Sequence, residues 1–224
     1  MGGQPVTAEM LLAAYAQGVF PMAETRDGTE LSWFDPLRRG IIPLNAFHIP
    51  KSLAKRLKRG DFAFTVDQDF AAVIQACAEP RPGHPETWIN GEIERLFLEL
   101  FSLGYAHSVE TRDRDGTLIG GLYGLALGGA FFGESMFSRA TDASKAALAH
   151  LVNALNSAGF SLLDTQFLTP HLARFGAMEI SRAAYRARLA DALASRCIFP
   201  SGPIPTFATR RGKLVGKCRD QQDH

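Results

Sequence analysis

Three polar side chains carry most of the chemistry that this sequence offers: Glu134, Asp164 and Gln166. Glu134 follows the apolar, glycine-lined run Gly128-Gly-Ala-Phe-Phe-Gly133. Burying an unpaired carboxylate is costly, so such a group finds a cation, a set of donors or a shifted pKa. Its partner is either Arg139 or Lys145 within the chain or a cation on a substrate. Asp164 and Gln166 stand two apart in Phe160-Ser-Leu-Leu-Asp-Thr-Gln166, so on a strand they share one face and Thr165 points away. A carboxylate beside an amide can orient a reacting group through hydrogen bonds. The same pair also fits a plain strand end, with Asp capping a turn and Gln in water.

Other chemistries find little support. Gly133-Glu-Ser-Met-Phe137 lacks the closing glycine of a nucleophile elbow. Zinc-protease, phosphate-loop and calcium-loop motifs are absent from the sequence. His48, His84, His107, His150, His171 and His224 are scattered as core, surface or capping residues rather than clustered as ligands, so neither metal nor cofactor is expected. The glycines of Gly120-Gly-Leu-Tyr-Gly124 suit a bulge or a close backbone approach within a strand.

A chain of 224 residues, 46% hydrophobic and 21% charged, can bury a substantial core. Its 24 basic and 23 acidic side chains leave a net charge of +1, which excludes a highly basic, histone-like protein but not a local patch. Such a patch exists in the sequence: from Pro36 to Gly60 every charged residue is basic, namely Arg38, Arg39, Lys51, Lys55, Arg56, Lys58 and Arg59. This run is either a solvated helix face or, with Trp33 and Phe34 just before it, a surface for nucleic acid. Cys77, Cys197 and Cys218 are too few and too far apart for a disulfide framework or paired zinc ligands. With no secretory signal and no membrane-length apolar stretch, a cytoplasmic protein is expected. No dimerisation signature is visible, so a monomer is expected.

The elements that must position these residues follow from periodicity. Residues 1–60 read as a small irregular domain that opens with a helix capped by Thr7 and stopped by Gly18. Residues 61–194 read as strand Phe62–Val66, helices over Asp69–Cys77 and Ile93–Phe101, a hairpin His107–Arg112/Leu118–Leu125, and strand Ala130–Gly133. A helix capped by Asp142, strand Phe160–Gln166, a short helical piece over Pro170–Phe175 and a last helix capped by Ser181 complete the domain. This order gives an α+β fold around a mostly antiparallel sheet. Residues 195–224 read as a loose basic tail containing Arg210, Arg211, Lys213, Lys217 and Arg219.

Several words then line up in order: Gly18-Val-Phe-Pro-Met22, Trp33-Phe-Asp-Pro-Leu-Arg-Arg-Gly40, His48-Ile-Pro-Lys-Ser52, Thr87-Trp-Ile89, His107-Ser-Val-Glu110, Gly120-Gly-Leu-Tyr-Gly124, Phe132-Gly-Glu-Ser-Met-Phe-Ser138, Ala143-Ser-Lys145 and Leu163-Asp-Thr-Gln166. With these words the sequence resembles the leucyl/phenylalanyl-tRNA-protein transferases, in an ordered match that covers roughly Thr7 to Leu193. The resemblance implies a GCN5-related N-acetyltransferase-like domain behind a small N-terminal one. It also implies a cytoplasmic enzyme that moves leucine or phenylalanine from Leu-tRNA or Phe-tRNA to proteins with N-terminal Arg or Lys, marking them for degradation. By position, Asp164 and Gln166 match the catalytic pair and Glu134 the acceptor-binding acid. Leu122, Phe131 and Leu155 match the aminoacyl pocket, Trp33 and Trp88 the aromatics around the terminal adenosine. The basic stretch with Arg38, Arg39, Lys51, Lys55 and Arg59 is expected on the tRNA. Two features depart from the family pattern: the N-terminal extension is largely missing, and a frequent Trp-Trp pair is Trp33-Phe34. An acyl-CoA-dependent N-acetyltransferase and a non-catalytic tRNA-binding module are the competing readings.

Overall fold

The computed structural model describes residues 5–80 and 86–200. Residues 81–85, with His84, and the basic residues from Arg210 to Arg219, Cys218 and His224 lie outside the described residues. In chain order the elements are α1 (Ala8–Ala16), β1 (Phe20–Ala23), β2 (Leu31–Phe34), β3 (Arg38–Ile42), α2 (Lys51–Arg59), β4 (Ala63–Val66), α3 (Phe70–Ala78) and α4 (Gly91–Ser102). There follow β5 (Ala106–Arg112), β6 (Leu118–Leu127), β7 (Ala130–Ser138), α5 (Ala143–Ser157), β8 (Leu162–Gln166), α6 (Pro170–Ala173), β9 (Met178–Ser181) and α7 (Arg182–Leu193).

The expected mixed α+β architecture is present. Seven strands form one sheet in the order β4-β5-β6-β7-β8-β3-β9, with β7 and β8 parallel and the other neighbours antiparallel. One face packs Leu11, Val73, Ile93, Phe97 and Leu189 from α1, α3, α4 and α7. The other packs Leu148, Leu151 and Leu155 of α5 with Leu53 of α2. The helix ends follow local chemistry in part. Thr7, Asn90 and Ser181 accept bonds from Met10, Ile93 and Ala184 amides. Asp142 does not cap α5 as its position suggested: its carboxylate pairs with Lys145 and Arg56, and its φ is 66°.

Two expectations change. The boundary at residue 60 cuts the sheet, because β3 lies inside residues 1–60 and pairs with both β8 and β9. What remains apart is the two-stranded β1-β2 hairpin, too short and proline-interrupted to read from alternation. The tail is not loose at its start. Phe199 is 5% exposed, stacked on His107 and Phe131 at centroid distances of 4.3 and 5.3 Å, and the Cys197 thiol donates to the Gly159 carbonyl.

Candidate active site

Two dislocations in the sheet build the site. Along the β6-β7 ladder Tyr123 pairs with Ser135 and Gly124 with Gly133, so Glu134 is an extra residue in a bulge. Along β3-β8 Gly40 pairs with Gln166 and Ile41 with Asp164, so Thr165 is extra in the same way. Bulges re-aim side chains and open a ladder locally. Each needs a bare backbone opposite. A Cβ on Gly124 would overlap the Phe132 carbonyl, and one on Gly40 would lie 2.6 Å from the Phe167 carbonyl carbon.

Pairing between the parallel strands β7 and β8 ends at Phe132↔Asp164. Past that point β7 stays with β6 and β8 with β3, and the fork between them is bridged by side chains: Gln166 Nε2 donates to Glu134 Oε1 at 3.2 Å. Gln166 is held in the left-handed region at φ 55°, which ends the alternation on which its predicted facing rested. Its own amide N–H donates to Asp164 Oδ1 at 2.8 Å, replacing the lost ladder bond.

Asp164 is fully buried and saturated. Arg39 grips it through Nε at 2.9 Å and Nη2 at 2.6 Å, while the Tyr185 hydroxyl donates at 2.6 Å. The remaining Arg39 nitrogen, Nη1, donates to the Gly18 carbonyl at 2.9 Å, and the guanidinium lies 4.5 Å from the Phe20 ring centroid and 4.6 Å from that of Tyr185. Burial alone would lower the Arg39 pKa, but the bond to and charge of Asp164 outweigh it and raise it. Burial and the Asp164 charge raise the Tyr185 pKa, so its hydroxyl stays a donor. Arg39 is therefore removed from the RNA-contacting set: at 1% exposure it cannot reach a phosphate.

Glu134 has no such partner. Arg139 pairs with Glu79 at 2.8 Å and Lys145 with Asp142 at 2.7 Å, so neither internal cation reaches it. Although the carboxylate keeps some surface on the cavity, burial pushes its pKa up to about 8; Asp164 adds to the rise, while the Tyr15 hydroxyl and Arg39 oppose it. The Tyr15 hydroxyl stands outside hydrogen-bond geometry but close enough to favour the charged form.

These groups border a cavity of about 330 Å³, within the range of small-molecule sites. Leu122, Met136, Leu148, Leu151, Leu163 and Leu172 make its apolar part, Phe20, Met22, Trp88 and Phe167 line another part, and Glu134 and Gln166 are on its wall. Of the expected aminoacyl pocket only Leu122 lines it: Phe131 and Leu155 are 0% exposed core residues behind the wall. Met136, Leu148, Leu151 and Leu163 line it too, outside the predicted pocket, although Leu148 and Leu151 stand in helical phase with Leu155. Trp88 lines the cavity, whereas Trp33 borders a separate recess with Val6, Glu30, Gly91 and Glu92 and is not brought to it. Phe34, its neighbour in the hairpin, stacks on Phe20 with centroids 5.8 Å apart.

On α2, Lys51, Lys55, Lys58 and Arg59 are exposed; Arg59 pairs with Asp61, and Arg56 turns inward over Phe62. Arg38 is exposed beside Glu179. No group of metal-binding side chains occurs among the described residues, and none of their helices is long and apolar enough to cross a membrane.

Fold and site together define an α+β protein with a mostly apolar ligand cavity in a sheet fork, closed on one side by an amide–carboxylate bridge. The chain belongs to the leucyl/phenylalanyl-tRNA protein transferase family: the family model matches residues 41–190, and the model of the family's N-terminal domain matches residues 5–37. Similar proteins carrying the name leucyl/phenylalanyl-tRNA–protein transferase come from Paramagnetospirillum magneticum, 62% identical over 88% of this chain and 93% of the relative, and Ruegeria sp., 58% identical over 90% and 93%. One from Caulobacter vibrioides is 58% identical over 84% and 87%. Among solved structures, the C-terminal domain of a putative lysylphosphatidylglycerol synthetase from Agrobacterium fabrum overlaps 83% of this chain and 63% of that chain, at 13% identity and a TM-score of 0.42. That likeness is too slight to bear on the fold.

Proposed function

We propose that this chain transfers leucine or phenylalanine from the 3′ end of its tRNA to the N-terminal Arg or Lys of acceptor proteins, marking them for degradation in the cytoplasm. The observation that carries the reading is the bridge Gln166–Glu134 on the wall of a mostly apolar cavity of about 330 Å³, its carboxylate in no salt bridge among the described residues. Family membership supports it. The fork between the parallel strands fits a GCN5-related N-acetyltransferase-like domain.

In this reading the aminoacyl side chain occupies the apolar end, formed by Leu122, Leu148, Leu151 and Leu163. Each buried methylene gains about 0.8 kcal/mol, enough to reject small or charged side chains but too little to separate leucine from phenylalanine sharply. Trp88 stacks against the terminal adenosine, and Arg38, Lys51, Lys55 and Arg59 meet tRNA phosphates. The ester supplies the activation. The neutral α-amine of the acceptor attacks the carbonyl carbon, the new C–N bond forms, the C–O bond to the ribose breaks, and the amine proton leaves with the ribose oxygen. Because Gln166 Nε2 is spent on Glu134, its carbonyl oxygen remains to accept a bond from the attacking amine. Glu134 holds the acceptor's cationic group, either the α-amine before it loses its proton or the Arg/Lys side chain. An α-amine with a pKa near 8 has a useful neutral fraction at pH 7, so placement does much of the work.

Radiolabelled Leu-tRNA or Phe-tRNA with a peptide beginning in Arg tests the proposal. Label in the peptide is expected. Binding without transfer favours a tRNA-binding module, and activity with acyl-CoA instead of aminoacyl-tRNA favours an acetyltransferase.

A further inference from the structure

Asp164 leaves no lone pair or surface for a substrate: Arg39, Tyr185 and the Gln166 amide occupy both of its oxygens, and its exposure is 0%. A group so enclosed acts on the reaction only through what it holds. What it holds is the backbone of Gln166, in a left-handed conformation that a non-glycine residue adopts only when its surroundings impose it. That conformation places the Gln166 amide across the fork onto Glu134. The grip itself is anchored at both ends. Tyr185 comes from α7, and Arg39 ties Asp164 to the Gly18 carbonyl at the end of α1, the segment that carries Tyr15 and continues into the cavity-lining Phe20 and Met22.

Resting on the transferase reading above, we infer that Arg39 and Tyr185 are positioning residues for the transfer step. They hold the Asp164 carboxylate so that it fixes Gln166 in its left-handed turn. Asp164 belongs with them as the link, and Gln166 is the group that meets the reacting amine.

A double-mutant cycle separates this from a merely structural role. Tyr185→Phe removes one donor to Asp164 and keeps the ring. In the otherwise natural chain it is expected to lower kcat about tenfold, with KM for Phe-tRNA unchanged. In the Gln166→Ala background, with its residual activity read by long incubation, Tyr185→Phe is expected to change nothing further, because the residue it acts through is gone. Arg39→Lys, which keeps the charge but loses the fork, serves as the second perturbation and is expected to behave in the same way; Arg39→Met should be worse than Arg39→Lys. Equal fold-losses in both backgrounds, or no loss in the natural one, overturn the inference. Wild-type transfer is measured in the same experiment. If wild type does not transfer, the transferase reading fails, whereas transfer by wild type with additive variants sinks only the positioning role.

Discussion

The charge state of Glu134 makes a quantitative prediction about acceptor binding. With its pKa pushed up to about 8, the carboxylate is ionised in about 1% of free molecules at pH 6 and in about half at pH 8. A cation that pairs with it must first bring about that ionisation, so acceptor affinity rises as pH climbs toward 8. If the partner is a guanidinium, always charged, affinity for an Arg-initiated peptide should increase about 50-fold from pH 6 to pH 8 and level off above pH 9. If the partner is the α-ammonium, with its own pKa near 8, the rise should be about 25-fold with a maximum near pH 8 and a fall beyond it. The shape of the curve therefore decides which cation Glu134 holds. Peptide Kd by calorimetry in the presence of a non-hydrolysable aminoacyl-adenosine, repeated for Glu134→Gln, gives the answer. The variant should bind more weakly at pH 8 and lose the Glu134-dependent rise. A pH profile in Glu134→Gln that matches wild type, or a flat wild-type profile between pH 6 and 8, refutes the reasoning.

The same shift has a stability consequence. Between the ordinary carboxyl value of 4.5 and about 8 the unfolded chain has lost this proton while the folded chain keeps it, so stability falls across that window; thermal melts of Glu134→Gln should lack this contribution to the fall between pH 5 and pH 8. Gly40→Ala should cost about 1–3 kcal/mol in denaturant titration and depress transfer, since its Cβ would displace the Phe167 backbone next to Gln166. Leu151→Ala should lose about 2–5 kcal/mol and shift competition assays from Leu-tRNA toward bulkier aminoacyl groups, because it enlarges the apolar end of the cavity. Replacing Lys51 and Lys55 together by Gln should flatten the salt dependence of tRNA binding by about 0.7–0.9 in log–log slope for each phosphate that is no longer neutralised.

Much of this site was legible in the chain. Asp164 and Gln166 stood out as polar residues at the end of an apolar strand, and Glu134 as an acid driven into a glycine-lined one. Their relation was not legible. Strand alternation placed Asp164 and Gln166 side by side, but alternation fails when the second residue turns left-handed, and no period in the sequence marks that turn. Arg39 was hidden by its company: surrounded by basic residues, it read as one more surface cation. Its phase held the clue, since Arg39 stands two before Ile41 on a strand and so shares a face with a core residue. The short strands β1, β2 and β9, of four residues each, offer too few positions for alternation to register. Phe199 was missed because the prolines and glycines around it outweigh one aromatic ring in composition, while burial depends on what that ring can reach.

The paired dislocations at Glu134 and Thr165 bear on how the chain tolerates insertions and deletions. A sheet has two faces, and each residue added to or taken from a strand exchanges them for everything beyond. At a bulge the reverse holds: removing Glu134 or Thr165 would let the flanking pairs, Tyr123–Ser135 with Gly124–Gly133 or Gly40–Gln166 with Ile41–Asp164, close into a regular ladder with their faces unchanged, and the local re-aiming that opens the fork would be lost. Single deletions at Glu134 or Thr165 should thus cost transfer more than folding, whereas deletions in the turn at Arg114–Gly116 should cost little of either, and a deletion scan read out by folding and by transfer would locate the two bulges.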